Sequence, residues 1–238
     1  VDCAVFGFDS NGLKVLLIKR RYPVDDLSAD DLKLPGAMIL ENETLQDAAA
    51  RVLKESTGLR NIFLRQTTIF SDPSRVSPQE LEWICRYHNI TTRRVVTVGY
   101  YALVKLTPEI IAYTRRNGAR WVEIDMVRRL IMDHMDILGN ALDILQKEFT
   151  HTPIAFELLP RKFTLRRLQD LFSAVLGIHI DSGNFRKKIL ASGLVAATGE
   201  FETNVAHKPA QFYTFDKSAY KKAMKEKFKL YFLDNWYY

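Results

Sequence analysis

The spacing of apolar positions changes several times along the chain, and each change marks an element. Val1–Phe8 and Leu13–Arg20 are apolar or alternating runs around Asp9-Ser10-Asn11-Gly12. Asn-Gly between two such runs predicts a β-hairpin. From Leu45 the period becomes helical, with Leu45, Ala48, Ala49, Val52 and Leu53 on one face. Thr44 is placed to N-cap this helix, Asp47 completes a short capping box, and Gly58 supplies a left-handed stop. Asn61–Phe70 and Val95–Lys105 read as strands rich in β-branched and aromatic residues, and Ala119–Ile124 as a further strand carrying Trp121. Thr107-Pro108-Glu109 opens the connection between the last two. Helices are predicted over Asp125–Ile131 and Met135–Phe149, the second with an Ile137, Ala141, Ile144, Leu145, Phe149 stripe. Strands interleaved with amphipathic helices make the first 148 residues a mixed α/β domain.

The pattern then changes character. Thr152–Phe163, with Pro153 and Pro160 bracketing an apolar patch, bridges to a second module, and the boundary is placed near His151. The two domains are therefore 1–150 and 151–238. Thr164 caps a helix whose Leu165, Leu168, Leu171, Phe172, Val175 and Leu176 form one stripe ended by Gly177. Asp181 or Ser182 caps a second helix through Ala191, with Phe185, Ile189 and Leu190 inward and Asn184, Arg186, Lys187 and Lys188 outward; Gly193 stops it. Leu194–Ala197 and Gln211–Phe215 read as strands around a long polar loop holding Thr198-Gly199, His207 and Lys208. Helix, turn, helix and β-hairpin in that order make a winged helix-turn-helix.

Between the strands at 61–70 and 95–105 lies a connection longer than most. Within it Ser77-Pro78-Gln79-Glu80 carries an N-cap, a proline at N1 and a glutamate at N3. Leu81, Ile84, Cys85 and His88 follow at helical spacing, with Trp83 close by, so residues 74–94 are read as a helical insertion. His88 is taken as a packed or rim histidine.

Charge sharpens the division. Lys and Arg balance Asp and Glu at 20 each over residues 1–148 and outnumber them 14 to 8 over residues 149–238. A neutral first module and a basic second one point the second toward a polyanion, although a basic surface also serves solubility. With 47% hydrophobic and 26% charged residues the chain can bury a real core. No apolar run approaches a membrane span and no signal peptide is evident, although Val1 begins inside an apparent strand. Cys3 and Cys85 lie in unrelated segments without metal-ligand spacing, which suits reduced packing residues in a cytoplasmic protein.

On the second module the candidate chemistry is nucleic-acid recognition. A recognition helix brings its N-terminal residues to base edges while flanking cations hold phosphates. Asn184 suits adenine and Arg186 guanine; Lys187, Lys188 and Arg167 suit phosphates, and Lys208 a wing contact. On the first module Asp133, His134 and Asp136 invite a metal reading, but a loop with an N-cap explains them more simply.

Gly36 to Leu59, GAMILENETLQDAAARVLKESTGL, resembles the Nudix box, Gly-x5-Glu-x7-Arg-Glu-hydrophobic-x-Glu-Glu-x-Gly-hydrophobic. Aligned through Glu43, Arg51, Gly58 and Leu59, the family glycine falls on Ala37 and the three acidic helix positions on Val52, Glu55 and Ser56. In active members those carboxylates hold divalent metals against a diphosphate, since hard cations take oxygen ligands. Here Glu55 alone remains, and Val52 falls in the apolar stripe. Glu43 and Arg51 are read as tying loop to helix, and Glu55 as a surface partner of Arg51.

A Nudix-type α/β/α sandwich followed by a winged helix is similar to the Nudix-related transcriptional regulators, the NrtR and AraR-like group; FELLPRKFTLRRLQDLF and NFRKK carry the likeness in the second module. The resemblance implies a dimeric DNA-binding regulator, usually a repressor, binding double-stranded operator DNA. Its degenerate Nudix domain would sense a sugar or nucleotide sugar such as L-arabinose or ADP-ribose, without cofactor, metal or membrane. Arg21, Gly36, Glu43, Arg51, Glu55 and Asp72 are the implied effector-binding positions, with no catalytic residue; Arg21 equally suits a solvated strand end. One alternative is a Nudix hydrolase drawing an acid from Glu80 or Glu82, with the winged helix as accessory. Another is a protein-binding winged helix on an inactive Nudix scaffold.

Overall fold

The computed structural model describes residues 1–19, 32–60, 62–149, 152–206, 208–219 and 221. Arg21, His207 and the basic and aromatic run from residue 222 onward lie outside the described residues. The chain divides into two compact units, Val1–Ile144 and Leu145–Tyr238.

In the first unit β1 (Asp2–Asp9) turns at Asn11-Gly12 into β2 (Gly12–Lys19), and Asn11 N–H is held by the Asp9 carboxylate at 2.8 Å. A two-residue strand β3 (Leu32–Lys33) precedes helix α1 (Leu45–Thr57); β4 (Phe63–Phe70), α2 (Pro78–His88), β5 (Thr97–Lys105), α3 (Pro108–Arg116) and β6 (Ala119–Glu123) follow. The strands lie in the order β3-β2-β1-β5-β4, with β6 paired to β2 through Lys14–Ile18. β1 runs antiparallel to β2 and parallel to β5, so it is flanked on both edges. Cys3 to Phe8 are all buried, the near-continuous apolar run of a strand covered on both faces.

One face of the sheet meets α1. Cys3, Val5, Leu16, Tyr100, Ala102 and Val104 pack with Ala48, Ala49, Val52 and Leu53. On the opposite face Phe6, Phe63 and Tyr101 form an aromatic group, with Tyr101 5.7 Å from Phe63 and 6.4 Å from Phe6. Burial pushes the Cys3 thiol up to about 12, which leaves it an inert packing residue; Cys3 and Cys85 are both free. α1 is closed as its sequence predicts. Thr44 and Asp47 exchange capping-box bonds, and Gly58 ends the helix at φ 74°. A Cβ at Gly58 would lie 2.8 Å from the Tyr113 ring of α3, so backbone and packing both require glycine there.

Four expectations change. Pro108–Arg116 is a full helix rather than a connection, capped by Thr107 with Pro108 in its first turn. Asp125–Ile131 is not a helix: only Ile124–Met126 form a 3-10 turn, and Ile131 N–H is spent on Leu32 O at 3.1 Å. The insertion helix α2 starts with the expected Ser77–Glu80 capping box, but of its apolar positions only Ile84 is buried, and His88 is exposed. β5 begins at Thr97, leaving Val96 exposed.

Helix α4 (His134–Phe149) crosses the division between the units. The second unit continues with a 3-10 turn (Pro153–Glu157), β7 (Phe163–Thr164), α5 (Leu165–Leu176), α6 (Ser182–Ala191), β8 (Val195–Phe201) and β9 (Gln211–Phe215). Its sheet runs β7-β9-β8. All six residues of the predicted α5 stripe are buried, and Thr164 caps the helix through Arg167 N–H. Phe172 packs against both Phe149 and Phe185, joining α5 to α4 and α6 within this unit. The wing departs from expectation: β8 extends to Phe201, so Thr198 and Gly199 lie in the strand, at a register shift between Ala197 and Phe201. The loop that remains is closed by Glu202 N–H on Ala210 O, and Ala210 N–H on the Glu202 carboxylate.

Candidate functional site

The box residues form a closed structural unit. Arg51 donates from Nε to Glu43 Oε2 at 3.0 Å and from Nη2 to Glu43 Oε1 at 2.6 Å, and Nη2 also reaches Met38 O at 2.9 Å. Glu43 Oε1 accepts from Leu40 N–H at 2.9 Å. One guanidinium and one carboxylate thus pin the 38–43 loop to the middle of α1. The Arg51 hydrogen bonds, followed by that from Leu40 N–H, hold the Glu43 carboxyl down at about 2.

The positions that would carry metal ligands do other things. Val52 is 3% exposed and belongs to the core. The Ser56 hydroxyl donates to Val52 O one turn back. Glu55 is 62% exposed and lies 3.7 Å from Arg51 Nη1. A single surface carboxylate does not supply the several oxygen ligands a magnesium ion needs from this helix, so the box does not fit the family's metal. Gly36 has a backbone role. It bridges to Asp2 of β1, and a Cβ there would come within 2.0 Å of Asp2 Oδ1.

Asp72 sits elsewhere. It lines an open recess of about 690 Å³ with Ile69, Phe70, Ser71, Ser74, Arg75, Met132, Asp133 and Asp136, a lining that includes none of Gly36, Glu43, Arg51 and Glu55. The Ser74 hydroxyl and backbone N–H both bond the Asp72 carboxylate and hold its pKa below the ordinary aspartate value. The floor of the recess is a buried ion pair that sequence reasoning missed. Arg75 and Asp133 are 4% and 9% exposed and meet in a two-pronged contact, 2.7 Å on each arm. Glu80 of α2 adds a third tie: its Oε2 serves the Ser77 cap and its Oε1 accepts Met132 N–H at 3.0 Å. Met132 takes a left-handed φ of 51° in this knot.

His134 is a buried histidine at the first residue of α4, and Asp133, at the position before it, accepts Ile137 N–H at its carbonyl. The His134 Nδ1 accepts Leu34 N–H at 3.0 Å, which places the proton on Nε2, 3.8 Å from Asp2 Oδ1. Burial lowers its pKa and favours the neutral ring. No group of three His, Cys, Asp or Glu able to hold a metal ion occurs among the described residues.

In the second unit the functional candidates stand on α6. Asp181 caps the helix by accepting Asn184 N–H at 2.8 Å, and Phe185 and Ile189 fix its inner face. Asn184, Arg186 and Lys187 are exposed, and their side chains have no partner among the described residues. Lys188 is half-buried, as is Arg167 on α5, so these two cations are partly enclosed by the protein. Lys208 is exposed in the wing. Lys162 and Glu200 pair across the base of the wing at 2.6 Å. Leu190, expected to face inward, is 39% exposed.

Residues 1–138 match the NUDIX domain family, and residues 155–215 match the NrtR DNA-binding winged helix domain. A protein of Acinetobacter baylyi named ADPR responsive transcriptional repressor NtrR is 29% identical over 220 residues, covering 90% of this chain and 80% of that protein. Shewanella oneidensis NrtR in complex with a 27mer DNA superposes with a TM-score of 0.72 at 23% identity, over 92% of this chain and 94% of that one. A MutT/nudix family protein of Enterococcus faecalis gives 0.65 at 23% identity, over 91% and 86%. No helix among the described residues is long and apolar enough to cross a membrane. A NUDIX match over more than half the chain shows that the chain belongs to the Nudix family, and an NrtR-type DNA-binding winged helix domain follows it.

Proposed function

We propose that the protein is a transcriptional repressor that binds operator DNA through its winged helix and is released by ADP-ribose bound, without hydrolysis, to its Nudix unit. One observation carries the DNA half: α6 presents Asn184, Arg186 and Lys187 outward with no internal use, on a helix anchored by Phe185 and Ile189. Arg167, Lys187, Lys188 and the wing residue Lys208 are assigned to phosphates. The effector half is supported by the A. baylyi relative, whose name describes a response to ADP-ribose, in preference to free L-arabinose. Arg21, Gly36, Glu43, Arg51, Glu55 and Asp72 remain the assigned effector positions, Gly36, Glu43 and Arg51 as its scaffold. A dimer would present two copies of α6 to two half-sites, and effector binding would shift the population to one whose helix spacing no longer matches them.

The absence of hydrolysis is supported by Val52 and Ser56, which give no metal ligands. The hydrolase alternative draws an acid from outside the box, and of its α2 candidates Glu80 is spent on Ser77 and Met132 while Glu82 makes an exposed pair with Arg86.

The test is fluorescence anisotropy on duplexes tiled across the DNA upstream of the protein's own gene, against a scrambled duplex at one fixed salt concentration. Salt is fixed because any basic module binds DNA weakly at low salt. Preference for one tile, lost on adding ADP-ribose, is expected; equal weak binding to every tile overturns the reading.

A further inference from the structure

We propose that Leu190 is a specificity residue of the DNA-binding helix, meeting the C5-methyl group of a thymine in the operator's major groove. The inference rests on the DNA-binding reading above and adds a base identity to it. Phe185 and Ile189 are buried and define the inward side of α6. The row opposite them runs through Gly183, Lys187 and Leu190, spaced i, i+4 and i+7, and all three are exposed. Arg186 and Lys188 fall on the flanks of that row, where Arg186 suits a guanine edge and Lys188 a phosphate.

Two features of the row have no explanation among the described residues. Leu190 is a large apolar residue left 39% exposed on a helix whose other exposed long side chains are Asn184, Arg186 and Lys187. Gly183 stands in the first turn of the helix, its φ is not left-handed, and a Cβ there would meet nothing closer than Asp181 Oδ1 at 3.5 Å. The fold would accept alanine. Both residues make sense if the row lies against a surface that comes close at Gly183 and is apolar at Leu190. A major groove offers both. Its floor approaches a helix at small residues, and its one apolar feature is the thymine methyl, which takes contacts from aliphatic side chains. The cations beside the row match the charge of that partner and not that of an apolar protein surface.

The experiment selects binding sites from a pool of random duplexes with the full-length protein and with Leu190→Ala, then measures anisotropy on the selected duplex with each thymine replaced in turn by deoxyuridine. The wild-type protein is expected to lose roughly three- to tenfold in affinity at one thymine per half-site, since an apolar base contact is worth less than a bidentate pair. Leu190→Ala should bind the thymine and deoxyuridine versions of that position equally, while keeping the preference at every other position. Gly183→Ala should raise the thermal midpoint yet weaken binding to the same duplex. The proposal is overturned if Leu190→Ala selects an unchanged sequence, or if it weakens every duplex equally, as a merely structural residue would. If the wild-type protein selects no sequence, the DNA-binding reading fails and takes this one with it.

Discussion

Helices α1 and α6 each carry the polar residues that define a functional motif, and they use them in opposite ways. On α1, Arg51 is bound to Glu43, to Met38 O and more distantly to Glu55, and Ser56 is turned back on its own helix. A motif that builds a metal site elsewhere has become a clamp on the 38–43 loop. On α6, Asn184, Arg186 and Lys187 have no such partners among the described residues. A motif residue with its hydrogen bonds already made supports structure, whereas one held out on an anchored helix is available to a ligand.

The comparison can be broken in stages. The largest effect is expected outside both helices, at the buried pair under the recess. Arg75→Ala leaves Asp133 buried and unpaired and should cost about 3–5 kcal/mol, measured by urea unfolding. An effect below about 1 kcal/mol would show that the pair is a surface contact in solution. Next is Arg186→Ala with Lys187→Ala. Stability should change by no more than about 0.5 kcal/mol, while DNA affinity falls and the slope of log K against log salt shrinks by about 1, for the lost Lys187 phosphate contact. Unchanged binding would contradict the account of α6.

Smaller effects should appear as pH dependence. His134 is held neutral in the fold, with its pKa below the ordinary 6.5. On acidification the unfolded chain takes up the proton first. The His134 contribution to stability is therefore intact above pH 6.5 and declines as pH falls below it, until the folded-state pKa is reached. His134→Gln should flatten that part of the stability profile. Glu43 is shifted the same way for the opposite reason: Arg51 favours its charged form and lowers the carboxyl from 4.5 to about 2. Its contribution is present above about pH 4.5 and is lost as pH falls toward 2. Because it lies at the surface, Glu43→Gln should lower the thermal midpoint only slightly at pH 7 and narrow the acid-sensitive window. A large loss at neutral pH would mean that the clamp holds more than its own loop.

What the sequence revealed was local. The α1 stripe, its capping box and its Gly58 stop are all encoded within fifteen residues, and so is the α5 stripe. Val52 could be assigned to the core because an apolar residue stood where a ligand was expected. α3 was read as a connection: Thr107-Pro108 is a helix start, but with only Ile110, Ile111 and Thr114 behind it the periodicity is short. The contacts that shape the recess were not legible. Arg75 and Asp133 are 58 residues apart, and Leu34 and His134 are 100 apart, so no spacing rule joins them. Leu190 misled for another reason. An apolar residue next to Ile189 reads as core, and only the direction of the helix shows that it points out.

The central claim is that binding and release replace hydrolysis, and one sample tests it directly. ADP-ribose with Mg2+ is titrated into the protein on its preferred duplex, anisotropy is followed, and the nucleotide is then analysed by chromatography. The account predicts that the protein leaves the DNA while the ADP-ribose is recovered intact. AMP and ribose 5-phosphate appearing at a rate proportional to protein concentration, or a complex indifferent to ADP-ribose, would contradict it.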